Sequence, residues 1–147
     1  MDVKEREAAR KLASHSFALD AIATSLATTV LVQVMPGTEI QGFDIKKTER
    51  PGALFECTAH RETVAAQYVH VRDGDDVAGR IHFCKVKLDG TIGDSLLAIT
   101  VRANGDVEFP DGEDLDLWPK NNPDPNQVRR TISYQVLRAI QANLAAV

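Results

Sequence analysis

Between Thr38 and Phe109 the sequence falls into short runs rich in β-branched and aromatic residues, each closed by turn residues and none separated by enough chain to hold a helix. The runs are Glu39 to Lys47, Ala53 to His60, Val64 to Arg72, Val77 to Leu88, Ser95 to Ala103 and a short one around Val107 to Phe109. Asp89-Gly90 and Asn104-Gly105 are two-residue hairpin signals, because both central positions of such a turn take positive φ. Parallel strands need a crossover of a dozen or more residues. Connections this short therefore predict an antiparallel meander of about five or six strands.

Helical patterns flank this region. From about Val3 to Leu26 the chain is rich in Ala, Leu, Glu, Lys and Arg, with Leu12, Leu19, Ile22 and Leu26 as an apolar series, which predicts a helix with a break near Ser14-His15-Ser16. Thr28 to Val34 is β-branched and reads as a strand, or as continued helix as far as Pro36-Gly37. Pro110 to Pro125 reads as a polar, acidic connection in which Trp118 anchors the loop to the core. A second helix, from about Pro125 to Ala145, is signalled by Asp124 as N-cap, Pro125 at the first helical position and Gln127 in capping-box spacing. Its stripe of Val128, Ile132, Val136, Ile140 and Leu144, joined by Leu137 and Val147, must pack on an apolar surface, and the sheet supplies one. The expected architecture is one α+β domain over residues 1–147, with an N-terminal helix and a long C-terminal helix on one sheet face.

Hairpin arithmetic divides the strand residues between two faces. A turn at Asp73 to Asp76 sets Tyr68 opposite Ile81, Ala66 opposite Phe83 and Gln67 opposite His82; a turn at Arg61-Glu62 sets Phe55 opposite Tyr68, Cys57 opposite Ala66 and Glu56 opposite Gln67. With a period of two, Ala53, Phe55, Cys57, Ala59, Ala66, Tyr68, Ile81 and Phe83 share the core face. Leu54, Glu56, Thr58, His60, Gln67, Val69, Val71, Arg80, His82 and Cys84 share the other, with Leu97, Ile99 and Val101 as further apolar members. His70 falls on the core side as a structural imidazole.

Glu56, Gln67, Arg80 and His82 are the candidate ligand-binding group: a carboxylate, an amide, a guanidinium and an imidazole facing one space can orient an anionic or polar ligand. The same mixture is ordinary on a half-solvated antiparallel face. Other chemistry lacks its signals. Cys57 and Cys84 stand outside any zinc or redox spacing and on opposite faces, so neither a disulfide nor a shared metal site is expected between them. His60, His70 and His82 do not converge, and Asp111 to Asp116 lacks the calcium-loop pattern, so no metal and no cofactor are expected. Seventeen Lys plus Arg against twenty-one Asp plus Glu, a formal charge of −4, argue against nucleic acid. No apolar run approaches a membrane span and no signal-peptide core follows the charged start, so a cytoplasmic protein that does not insert in membranes is expected.

Three functions fit these observations. One is a small binding module without catalysis, taking a small-molecule or protein ligand and forming a homodimer or larger homo-oligomer that covers Val69 and Val71. Another is an acid/base enzyme using Glu56 and His82, with Arg80 holding an anionic substrate. The third is a chaperone-like adaptor that uses its acidic loop and helix ends to hold another polypeptide.

Overall fold

The turn-punctuated region forms a seven-stranded antiparallel sheet, curled into a half-barrel, in the computed structural model, which describes residues 1–32, 39–117 and 124–147. The strands are β1 (Phe43–Lys46), β2 (Ala53–Ala59), β3 (Glu62–Asp73), β4 (Asp76–Val86), β5 (Ile92–Val101), β6 (Asp106–Glu108) and β7 (Asp114–Asp116), and each pairs with its neighbours in sequence. Gly90 and Gly105 take the positive φ that their turns require, 85° and 90°. The seventh strand is one more than the sequence predicted. Asp-Leu-Asp has the composition of a loop, yet its alternation buries Leu115 and leaves both carboxylates outside, which suits a short, charged edge strand.

The β3–β4 register is the expected one, with Tyr68 opposite Ile81, Ala66 opposite Phe83 and Gln67 opposite His82. The β2–β3 register differs. Its turn is His60-Arg61, both at positive φ (52° and 61°), so that Cys57 opposes Val64 instead of Ala66 and Glu56 opposes Ala65 instead of Gln67. Histidine tolerates the left-handed region better than most residues, whereas the expected turn would have forced Glu62 into it. Moving the turn by one residue shifts the pairing by two, and the face assignment survives. A bulge between Ala53 and Glu56 then brings Ala53 opposite Gln67, and Leu54, expected on the outer face, is partly buried against the core. Leu97 and Ile99 pair with Phe83 and Ile81, so Leu97, Ile99 and Val101 belong to the core face and not to the outer one.

The first helix, α1 (Val3–Leu31), runs unbroken through Ser14-His15-Ser16 and takes in Thr28 to Leu31 as helix. Burial of Leu26, Ala27 and Val30 outweighs the β-branched preference, while the Thr28 and Thr29 hydroxyls donate to the carbonyls of Thr24 and Ser25. The end of that predicted segment, with Pro36-Gly37, lies outside the described residues, as does Trp118. A capping box of Asp2 and Glu5 starts α1, and its first buried residue is Leu19. The second helix, α2 (Pro125–Ala142), is capped by Asp124, whose side chain accepts from the Asn126 amide rather than closing a box with Gln127. Val128, Ile132, Val136 and Ile140 are buried as the stripe requires; the helix ends before Leu144 and Val147, which are exposed.

Both helices lie on the same side of the sheet. The more extensive sheet contact is made by α1, along β4 and β2, while α2 packs on α1 and on the flanking strands. Arg129 of α2 donates to the carbonyls of Val30 and Val32, satisfying the end of α1. The core between these layers centres on Phe55 and Phe83, whose rings tilt at 55° with centroids 5.9 Å apart.

Candidate functional site

The registers put Glu56, Gln67, Arg80 and His82 on the sheet face turned away from the helices. Gln67 pairs with His82 and Val69 with Arg80, and Glu56 faces Ala65, which precedes Gln67 on the same face of β3. Each of the four has a neighbour that fixes it. Glu56 Oε1 lies 3.9 Å from Arg50 Nη2, and the same guanidinium donates to the Gly90 carbonyl at 2.8 Å. Gln67 Oε1 sits over Gly52, where a Cβ would come within 3.2 Å of it. His82 Nδ1 is 3.3 Å from Ser95 Oγ, and Arg80 Nη2 is 3.5 Å from Thr100 Oγ1.

This geometry keeps the carboxylate and the imidazole apart. Glu56 on β2 and His82 on β4 are separated by β3, about 9.6 Å at two strand spacings. At that separation the two share no proton directly and can only flank a bound molecule. The four residues line none of the described clefts; they form a surface. On this face the small side chains of Ala65, Ala78 and Cys84 are buried, while Val69 is 44% exposed and Val71 half-buried. Cys57 lies on the opposite face, and both thiols are free. Burial pushes the Cys57 thiol up, with the Arg129 guanidinium acting weakly the other way, so Cys57 is a packed group and not a nucleophile.

His60, expected on the outer face, sits instead in the β2–β3 turn, where its Nε2 lies 3.1 Å from Gln141 Nε2 of α2. The two histidines read singly from sequence each have a carboxylate partner across the helix–sheet junction. His15 Nδ1 is 2.6 Å from Asp76 Oδ1, and His70 Nε2 is 2.7 Å from Asp20 Oδ1. The His15 bond and the Val77 amide hold the Asp76 carboxyl below its usual range. Beside His70, the Tyr68 hydroxyl is enclosed without a well-formed hydrogen bond, and burial together with the Asp20 charge pushes its pKa up. These pairs join residues 61 and 50 positions apart, and no local spacing announces them.

Among the described residues, no group of three or more His, Cys, Asp or Glu is placed to hold a metal ion, and no helix is long and apolar enough to cross a membrane. Compared with models of known families, with curated proteins and with solved structures, the chain matches none.

Proposed function

We propose that this protein is a binding module without catalysis, and that its helix-free sheet face is covered by the same face of a second copy. The observation that carries this reading is the unequal dressing of the sheet. Two helices seal one face, while the other presents Val69 and Val71 among Gln67, Arg80 and His82. A two-fold interface must be self-complementary. Glu56 and Arg80 stand on strands either side of β3, so a partner turned about a two-fold axis sets its Arg80 toward this Glu56, and the converse. Six strand spacings of about 4.8 Å and strands of about 25 Å make a face on the order of 700 Å2. One partner in a standard stable interface contributes about 800 Å2.

Light scattering during size-exclusion chromatography tests this directly, with native mass spectrometry as the second readout. The expected result is a dimer that Val69→Asp converts to a folded monomer. A wild-type monomer at micromolar concentration overturns the reading.

A further inference from the structure

The buried stripe of α1 begins at Leu19. Residues 3–18 before it contribute no buried side chain, and a helix of that length without tertiary contacts is only marginally stable in water. Polar ties to the sheet stand on either side of Leu19. Before it, His15 Nδ1 lies 2.6 Å from Asp76 Oδ1 of β4; after it, Asp20 Oδ1 lies 2.7 Å from His70 Nε2 of β3. Five residues of helix turn through about 500°, which is about 140° beyond a full turn. His15 and Asp20 therefore leave α1 on opposite flanks of the buried stripe, and the two pairs hold the helix to both strands of the β3–β4 hairpin. The helix supplies the imidazole to one pair and the carboxylate to the other.

The other charged groups around these pairs hold their charge over the range in which imidazole titrates. Lys11, one turn before His15, acts on Asp76 from α1 itself. In the hairpin turn stand Asp75 and Asp73, the latter held by Arg102. On β3, Arg72 shares the alternation of His70 and turns its Nε to the Gly74 carbonyl. Tyr68 faces Asp20, and burial together with the Asp20 charge keeps its phenol protonated. From α2, Arg129 reaches the far end of α1, at Val30 and Val32, and β1, β2 and β5 meet α1 across the apolar core.

An ionised carboxylate attracts imidazolium more strongly than neutral imidazole, which keeps only a neutral hydrogen bond. The contribution of such a pair is complete below the ordinary imidazole pKa of about 6.5 and declines as pH rises through the imidazole range. We propose that the His15–Asp76 and His70–Asp20 pairs form a pH-dependent clasp, which holds the first half of α1 on the β3–β4 hairpin in mildly acidic solution and loosens it above neutral pH. The clasp lies on the helix side and is independent of whether the outer sheet face pairs with a second copy.

Pulsed hydrogen exchange of the full chain, with each rate divided by the intrinsic rate at that pH, tests the clasp on the amides of residues 8–18. Exposed ion pairs of this kind are worth about threefold each in an equilibrium, so protection is expected to fall about tenfold between about pH 5.5 and pH 8. Two double variants separate the pairs from their parts. His15→Gln with His70→Gln removes both titrating rings, whereas Asp20→Asn with Asp76→Asn keeps the rings and removes the charges they answer. Both should show the same protection at the two pH values to within about twofold, with circular dichroism like that of the wild type. The proposal is overturned if wild-type protection changes by less than about twofold, or if either double variant keeps the roughly tenfold dependence.

Discussion

On the helix side of the sheet, Ala66, Ile81 and Phe83 are almost sealed from water, while Gln67, Val69, Arg80 and His82, on the opposite face of the same β3–β4 hairpin, remain wholly or partly accessible. Both sets come from one alternation along β3 and β4, and a single register decides both. The difference lies in what each set is asked to do. The sealed residues supply the apolar burial that offsets chain entropy, and their identities are tightly constrained by volume. The accessible ones are free of that demand, so polar types there report on surface chemistry. A mutation should therefore cost folding on one face and association on the other.

The sharpest way to break this contrast is Phe83→Ala. Phe83 is 1% exposed and packs its ring against Phe55, so the loss should be about 3–5 kcal/mol in urea unfolding. A loss below ~1 kcal/mol would mean that the sealed face is not the core. Next in size is Gly79→Ala, where the new Cβ would lie 2.8 Å from Tyr68 Cε2. The ring is held against His70 and beside Asp20, so displacing it should cost about 1–3 kcal/mol, measured the same way.

Acid provides a third, more distributed test. Asp76, Glu108 and Asp111 titrate below their usual values, held down chiefly by hydrogen bonds from His15, Arg102 and Gln135 respectively. A carboxyl with a lower pKa folded than unfolded stabilises the fold fully above its unfolded pKa, near 3.8 for Asp76, and that contribution is lost as pH falls through the folded pKa. Unfolding free energy should then decline below the ordinary carboxylate range, and Asp76→Asn should flatten part of the decline; an unchanged pH profile would remove the His15 pair from the account. The smallest stability effect belongs to Arg80→Ala on the open face, within about 0.5 kcal/mol. The same variant should weaken self-association by sedimentation equilibrium, and a large stability loss without any change in association would erase the distinction between the faces.

How legible this was in the sequence depended on the range over which each signal acts. Period-two alternation and the Asp73–Asp76 turn are local, and they placed Gln67 opposite His82 correctly. The β2–β3 register was misread because two adjacent turn positions compete, and only the tolerance of His60 for positive φ separates them. Thr28 to Leu31 carry strand propensity but sit in a helix, because the burial of Val30, with Leu26 and Ala27 before it, exceeds a preference worth only tenths of a kcal/mol per residue. Leu97 and Ile99 needed the β4–β5 register, which irregularities around Cys84 obscure. The His15–Asp76 and His70–Asp20 pairs depend on where α1 docks, and periodicity within one element carries no record of that.

The contact of Arg129 with the Val30 and Val32 carbonyls has a consequence for the order of assembly. Every sheet pairing closes between consecutive strands, so the meander has low contact order and can zip hairpin by hairpin. The Arg129–Val30 bond spans 99 positions and must wait for α2. During synthesis the strands and α1 therefore emerge with the Val30 and Val32 carbonyls still without their guanidinium donor and the hydrophobic core still open beside α1, an interval in which exposed strand edges are prone to mispairing. A ribosome-stalled chain ending before Pro125 should accordingly be more protease-sensitive around α1 than one in which α2 has cleared the exit tunnel.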